Sequence, residues 1–316
     1  MNPGKARLTF LGTGTSQGVP IIGCRCKVCM SQDSHDKRFR ASAFIEYGGL
    51  NILVDAGPDF RMQMLSQGIS HLDAILLTHN HKDHTGGLDD VRSLNYIDKR
   101  ASEIYCERNV LEDLIREYPY VFKFPKYPGA PEWHLHVIDE RPFTISKESS
   151  EKELVWIHDV GYHYKLHDGS LVPTARCLED MIEEADQLQA KAPGQEGITV
   201  IPIRGLHDKL PVLGFRFGDI AYITDMSAIP ESEFSKLEGL RHLTLNTVGY
   251  PKHHSHFSLF ETLELADRIG AGHTWLTHLS HSFPVHEQFC KDLEHLCAEK
   301  KIRSVVRPAY DGLVIE

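Results

Sequence analysis

No apolar run in the chain approaches the roughly 20 residues that a membrane-spanning helix requires, so no membrane partner is expected. The opening residues, Met1-Asn2-Pro3-Gly4-Lys5-Ala6-Arg7, lack the apolar stretch of a signal peptide, which sets the cytoplasm as the expected location. Positive charge is also scarce. Lys and Arg number 34 against 44 Asp and Glu, a net charge of -10. A broad nucleic-acid surface needs clustered Lys and Arg, so stable nucleic-acid binding is not expected. A small phosphorylated ligand held by a few local cations remains compatible. No disulfide framework is visible. The seven cysteines are an odd number; Cys24, Cys26 and Cys29 cluster while Cys106, Cys177, Cys290 and Cys297 are scattered. In a cytosolic chain that reads as one metal site plus buried thiols. The glycine loop Gly12-Thr13-Gly14-Thr15-Ser16-Gln17-Gly18 lacks the Lys-Ser/Thr pair and the following helix of a Walker phosphate loop. No internal repeat is evident.

What remains is an ordinary globular composition, 41% hydrophobic and 25% charged over 316 residues. Strand patterns run through residues 7–12, 43–47, 51–54, 73–78, 103–106, 133–138 and 154–158. They resume at 198–203, 212–217, 220–224, 242–246, 274–277, 304–307 and 313–315. Helical patterns fall near 60–67, with Asp59 or a neighbour as the cap, and at 89–96, 110–118, 174–191, 231–237, 259–269 and 285–300. Strands followed by strand–helix alternation, twice over, imply an α+β fold of two packed sheets with helices outside, a four-layer αββα sandwich. It is expected as a single domain over 1–316, with an insertion at about 143–197.

The chemistry gathers at Thr78-His79-Asn80-His81-Lys82-Asp83-His84-Thr85-Gly86-Gly87, with the spacing H-x-H-x-D-H. An apolar strand leads into it and a Gly-Gly step leaves it. His and Asp are ligands suited to zinc, iron or manganese. In an extended segment His79 and His81 serve one metal, and Asp83 and His84 a neighbouring one. Further candidates stand at strand ends: His207, Asp225, which is able to bridge two metals, and His278. C-x-C-x-x-C at Cys24-Arg25-Cys26-Lys27-Val28-Cys29 supplies three soft ligands of a closed zinc site and lacks a fourth. His281, three beyond His278, is offset enough to serve a different site. Asp55 either orients a metal-bound histidine or is a turn aspartate. His134, His136, His158, His163 and His167 have no partner at ligand spacing and read as surface or packing residues.

Phe10-Leu11-Gly12-Thr13-Gly14, Leu53-Val54-Asp55-Ala56-Gly57, the histidine motif, Ile223-Thr224-Asp225 and Thr277-His278-Leu279-Ser280-His281 resemble the metallo-β-lactamase-fold hydrolases from end to end. The cysteine loop is similar to the branch containing the cyclic ribosyl phosphate phosphodiesterase of carbon–phosphorus lyase pathways. That resemblance implies His79, His81, Asp83, His84, His207, Asp225 and His278 as a dinuclear site for Mn, Zn or Fe. It implies Cys24, Cys26, Cys29 and His281 as a structural zinc site. His256, directly before a helix, matches the family's proton-donating histidine, with His254 as the alternative. Asp83 shares the catalytic role, and Arg92 and Lys209 are candidate substrate contacts.

The implied activity is hydrolysis of a small phosphodiester, cyclic ribosyl phosphate or nucleotide-like, by metal-bridged hydroxide. The alternatives are a tRNA 3′-processing endonuclease and a non-catalytic metal-binding or carrier protein of the pyrroloquinoline-quinone biosynthesis kind. A homodimer is compatible with the sequence. The stretch between His84 and His207 is longer than that family's pattern, which leaves the exact substrate open.

Overall fold

A computed structural model of the protein describes residues 4–123, 126–127, 129–146, 153–157, 161–165, 170–173 and 197–316. The first half of the chain lays down Arg7–Gly12 (β1), Ser42–Tyr47 (β2), Leu50–Val54 (β3), Ala74–Leu76 (β4), Ser102–Cys106 (β5) and Trp133–Val137 (β6). They form one sheet in that spatial order, antiparallel up to β3 and parallel from β3 to β6. The second half repeats the plan with Phe143–Ile145 (β7), then Ile198–His207, Leu210–Phe217, Ile220–Tyr222, His242–Asn246, His273–Thr277 and Val305–Pro308 (β11–β16). The strands β13 to β16 are parallel. The last strand, Val314–Ile315 (β17), returns to pair with β1 in the first sheet. Glu153–Ile157, Gly161–Lys165 and Leu171–Pro173 (β8–β10) make a separate three-stranded antiparallel sheet within the expected insertion. Residues 143–145, where that insertion was expected to begin, pair with β11 in the second sheet.

The period-two alternation of the strands decides the layering. Leu8, Phe10, Ile45, Ile52 and Val54 of the first sheet meet Val200, Leu213, Phe215, Phe217 and Tyr222 of the second in a central apolar layer. Leu53, Ile75, Leu77 and Ile104 point the other way, onto Phe60, Met64, Val110, Leu111 and Leu114 of the outer helices. The far face of the second sheet is covered in the same manner by Leu259, Leu263, Phe289 and Leu293. Each fully buried Phe, Leu or Ile contributes about 1.5–3 kcal/mol of transfer free energy. The architecture is the four-layer αββα sandwich.

Some local readings differ. Asp59 is the N-cap residue of Phe60–Gln67, but its side chain makes no cap hydrogen bond: its carboxylate accepts from the Arg40 backbone N–H at 2.9 Å and pairs with the Arg40 guanidinium at 3.0 Å. An ionised partner across the fold outcompetes the local cap. Glu231–Leu237 is a 3-10 helix. The helix expected at 174–191, with His158 and His167, lies outside the described residues.

Candidate active site

Parallel strands deliver their C-terminal ends to one edge of a sheet, where ligand sites of α/β sheets form. Asp55 follows β3, the histidine motif follows β4, Asp225 follows β13 and His278 follows β15. Three of these residues hold left-handed backbones: Asp55 at φ 63°, Asp225 at φ 56° and His278 at φ 57°. Outside glycine that conformation costs on the order of 1 kcal/mol or more and concentrates at functional sites. The motif loop docks on the Asp55 turn through Ala56 N–H to His84 O and Gly87 N–H to Ala56 O, each 2.8 Å. Gly57 lies so close that a Cβ there would stand 1.9 Å from the Asp83 carbonyl oxygen. Leu213 of the second sheet donates to Thr78 O at 3.0 Å and ties the two halves together behind the site.

The hydrogen bonds fix the ring tautomers. His84 Nδ1 donates to Asp55 Oδ2 at 2.7 Å, and His207 Nδ1 donates to Ser255 O at 2.7 Å. His79 Nδ1 donates to Thr78 Oγ1 at 2.9 Å, and that hydroxyl donates onward to Asp55 Oδ2 at 2.9 Å. Each ring therefore keeps a proton on Nδ1 and turns Nε2 toward the site, where its lone pair is the one a metal would take. Asp55 orients His84 and, through Thr78, His79, and is not a mere turn residue.

Those lone pairs converge. His79, His81 and His207 form one group, and Asp83, His84, Asp225 and His278 a second; within each, the ligand atoms lie within 4.8 Å of one another. Asp225 also groups with His207 and His256. Its Oδ1 is 3.0 Å from His278 Nε2 and its Oδ2 3.3 Å from His84 Nε2. Burial disfavours an imidazolium at His84, but Asp225, Asp55 and Asp83 outweigh it and raise its pKa well above the ordinary value. Burial, then the neighbouring His84, lower His79 well below the ordinary value. Asp83 and Asp225 sit in one group in a dry site, an arrangement that needs cations between the carboxylates. His79 Nε2, His84 Nε2 and both His278 nitrogens are buried without a hydrogen-bond partner. Unpartnered lone pairs, paired carboxylates and a shared aspartate all fit a pair of divalent ions.

Cys24, Cys26, Cys29 and His281 form a separate group. The three sulfurs stand 3.3, 3.5 and 3.5 Å from His281 Nδ1. A tetrahedral zinc with Zn–S about 2.3 Å and Zn–N about 2.1 Å sets that edge at about 3.6 Å, so the donor set fits the ion. The Cys29 N–H donates to Cys26 Sγ at 3.4 Å, the largest of the influences that lower the Cys26 thiol to about 6; burial raises Cys29 to about 11.

His256 stacks on His278, with centroids 4.5 Å apart, and its Nδ1 lies 3.8 Å from Asp225 Oδ1. With His278 and His281 it also lines a cavity of about 280 Å³, which His254 does not. Arg92 pairs with Asp89 at 3.2 Å and Lys209 is exposed at the β11–β12 turn; neither lines that cavity. Glu103 takes His134 at 3.0 Å and His136 at 2.5 Å, and His163 joins no ligand group among the described residues. The cavity walls Thr15, Ser16, Gln17, Ser280 and Ser282 are not among the site residues expected from the sequence. Residues 15–17 and 280–282 meet only in three dimensions, where Gly14 bridges to Leu279; only the glycine-rich composition of the first loop hinted at a ligand.

Comparison with known proteins agrees with this geometry. The sequence model of the beta-lactamase superfamily domain matches residues 50–163 and 164–279. An octanoyltransferase of Porphyromonas gingivalis is 35% identical over 310 residues, 97% of this chain and 51% of that protein. The chain thus spans about half the length of that curated relative. A ribonuclease Z of Agathobacter rectalis is 25% identical over 269 residues, 78% of this chain and 83% of that one. The crystal structure of a diphosphatase from the PhnP family is 30% identical, covers 99% of this chain and 98% of its own, and superimposes with a TM-score of 0.71. With that family match, that coverage and the αββα layers, the chain belongs to the beta-lactamase superfamily and has the metallo-β-lactamase fold of its PhnP-family relative.

Proposed function

We propose that the protein is a dinuclear-metal phosphodiesterase acting on a small phosphodiester, cyclic ribosyl phosphate or nucleotide-like. The observation that carries this reading is Asp225, which faces both histidine groups with His256 beside it on a cavity wall. Divalent ions bound there, Mn, Zn or Fe, supply water of lowered pKa and neutralise charge on phosphoryl oxygens. The chain's residues do the rest. His79, His81 and His207 hold one side; Asp83, His84 and His278 hold the other. Asp83 would accept the proton of the attacking water. His256 protonates the leaving oxygen. Burial first, then His278, lower His256 to about 3 in the free protein. An anionic diester against the ring favours the imidazolium that donates this proton.

In single-turnover assays His256→Ala is expected to lose ~10²–10⁴-fold with an alkyl leaving group and far less with nitrophenolate, which needs no proton. Equal losses on both would remove the general-acid role. Metal content measured on the same variant separates that role from ligation. Cys24, Cys26, Cys29 and His281 hold a structural zinc in this reading.

A tRNA 3′-end endonuclease is the second reading, favoured by the ribonuclease Z similarity. The net charge of -10 and a cavity of about 280 Å³ weigh against it. A tRNA gel shift across a salt series decides between them. A diphosphate ester and an octanoyl ester belong in the substrate panel, given the names of the other two relatives.

A further inference from the structure

His278 lacks what its neighbours in the histidine centre have. His79, His84 and His207 each place Nδ1 against an oxygen, of Thr78, Asp55 or Ser255, and that bond sets the ring. His278 Nδ1 is buried with no hydrogen-bond partner among the described residues. The position of this ligand therefore depends on its backbone, which is held at φ 57°. The next residue, Leu279, donates its N–H to Thr13 O at 2.8 Å. Thr13 is in turn clamped. It is fully buried, and its hydroxyl lies 2.7 Å from Arg38 Nη1 and 2.7 Å from Asp311 Oδ1. A guanidinium only donates, so the hydroxyl accepts from Arg38 and gives its one proton to Asp311. Both bonds have a charged partner, and Arg38 is 7% exposed, so water competes little for them. Arg38 Nη1 also reaches Ala309 O at 2.6 Å, and Asp311 Oδ2 accepts from the Phe39 N–H at 2.6 Å. The Gly14 N–H closes the knot on Phe39 O at 2.8 Å.

We propose that Thr13 is a positioning residue for His278. Its hydroxyl, held between Arg38 and Asp311, sets the carbonyl that fixes the turn after His278. It does through the backbone what Asp55 does for His84 through the ring. This rests on the metal centre of the reading above and not on the substrate. His278 belongs to the group with Asp83, His84 and Asp225, whereas His79, His81 and His207 form the other. Loss of the Thr13 hydroxyl therefore weakens one ion of the pair and spares the other.

The test uses the full chain, freed of metal at the histidine centre by mild chelation and titrated with Mn²⁺. That ion prefers nitrogen and oxygen donors to the thiolates of the cysteine group. Unbound Mn²⁺ is read by electron paramagnetic resonance, without turnover. Thr13→Val removes the hydroxyl at nearly constant volume, and Thr13→Ser keeps it. Thr13→Val is expected to weaken one of the two Mn²⁺ dissociation constants by at least about tenfold, the scale for losing a partner that orients a ligand, and to leave the other unchanged. Thr13→Ser is expected to match the wild type in both. Should Thr13→Val fail to fold, Asp311→Ala removes the acceptor of the hydroxyl and is expected to weaken the same single ion. The control for plain destabilisation is Ser304→Ala, which breaks the buried Thr274–Ser304 hydroxyl pair, 2.8 Å apart, at the far end of the strand that carries His278. It is expected to lower the melting temperature and to change neither constant. Unchanged constants on loss of the hydroxyl or its acceptor, equal weakening of both ions, or the same pattern in Ser304→Ala overturns the proposal. A wild-type chain that binds two Mn²⁺ but cleaves no diester leaves the proposal standing and removes only the phosphodiesterase reading. A wild-type chain that binds fewer than two overturns both.

Discussion

Asp55 belongs to neither ligand group, yet two histidines depend on it. It is fully buried and accepts from His84 Nδ1, from the Thr78 N–H at 2.9 Å and from the Thr78 hydroxyl. Burial raises its pKa, and the hydrogen bonds and the charge of His84 oppose that rise. Removing such an orienting carboxylate typically costs 10–100-fold in metal affinity. Asp55 also sits at φ 63°, where Asn is tolerated far better than Ala. Asp55→Asn is therefore expected to lower metal affinity by about 10–100-fold with little change in melting temperature. Asp55→Ala is expected to lower affinity similarly and to melt earlier as well, from backbone strain of about 1–2 kcal/mol. Metal titration and thermal melts on both variants check this. Undiminished metal affinity in both would mean that His84 and His79 are oriented without Asp55.

Elements place the site by edge contacts that single residues decide. The motif loop lies on Gly57 with no space for a methyl group, since the Asp83 carbonyl would be 1.9 Å from its Cβ. Gly57→Ala is expected to displace Asp83 and reduce turnover at least about tenfold, because misplacement near 1 Å costs about 10²-fold. Wild-type turnover with intact metal content would show that the loop relaxes freely. Strands β5 and β6 carry a different device. Burial works against a charged Glu103, but hydrogen bonds from His134 and His136 and their charge hold it at about 2. Its folded pKa is thus depressed, so the stabilisation is present above the unfolded value near 4.5 and is lost as pH falls through about 2. Glu103→Gln is expected to lower the urea midpoint at pH 6, by roughly 1–3 kcal/mol in stability, with the gap narrowing at pH 3. A gap that stays constant between these two pH values contradicts the linkage.

At the scale of the molecule, the layers were legible because strand alternation records which face is buried: Ile52 and Val54 go inward and Leu53 outward. His79, His81, Asp83 and His84 were legible because one short loop carries them, and His207, Asp225 and His278 because each stands at a strand end. Arg92 and Lys209 lie near motifs in sequence, and neither lines the cavity beside His256. Asp59 takes the N-cap position without the capping hydrogen bond, because Arg40, 19 residues away in the chain, takes its carboxylate. The cavity walls needed the bridge between Gly14 and Leu279, which no local pattern encodes. That same bridge sits between His278 and His281, so the histidine centre and the cysteine group share one turn. The cysteine group joins residues 24–29 to residue 281, closing a loop that spans most of the chain. A metal that closes so long a loop restricts the unfolded chain strongly and binds only the folded one. Cys26→Ser is therefore expected to lose the zinc of that group and to lower the melting temperature by about 5–10 °C, the scale of a few kcal/mol in a chain of this size. Metal analysis is expected to show the histidine centre still loaded, because His278 remains fixed through Leu279 N–H to Thr13 O at 2.8 Å. Loss of metal from both groups together would mean that the shared turn folds only around the cysteine site. No loss of zinc and an unchanged melt would mean that the cysteines do not form a structural metal site.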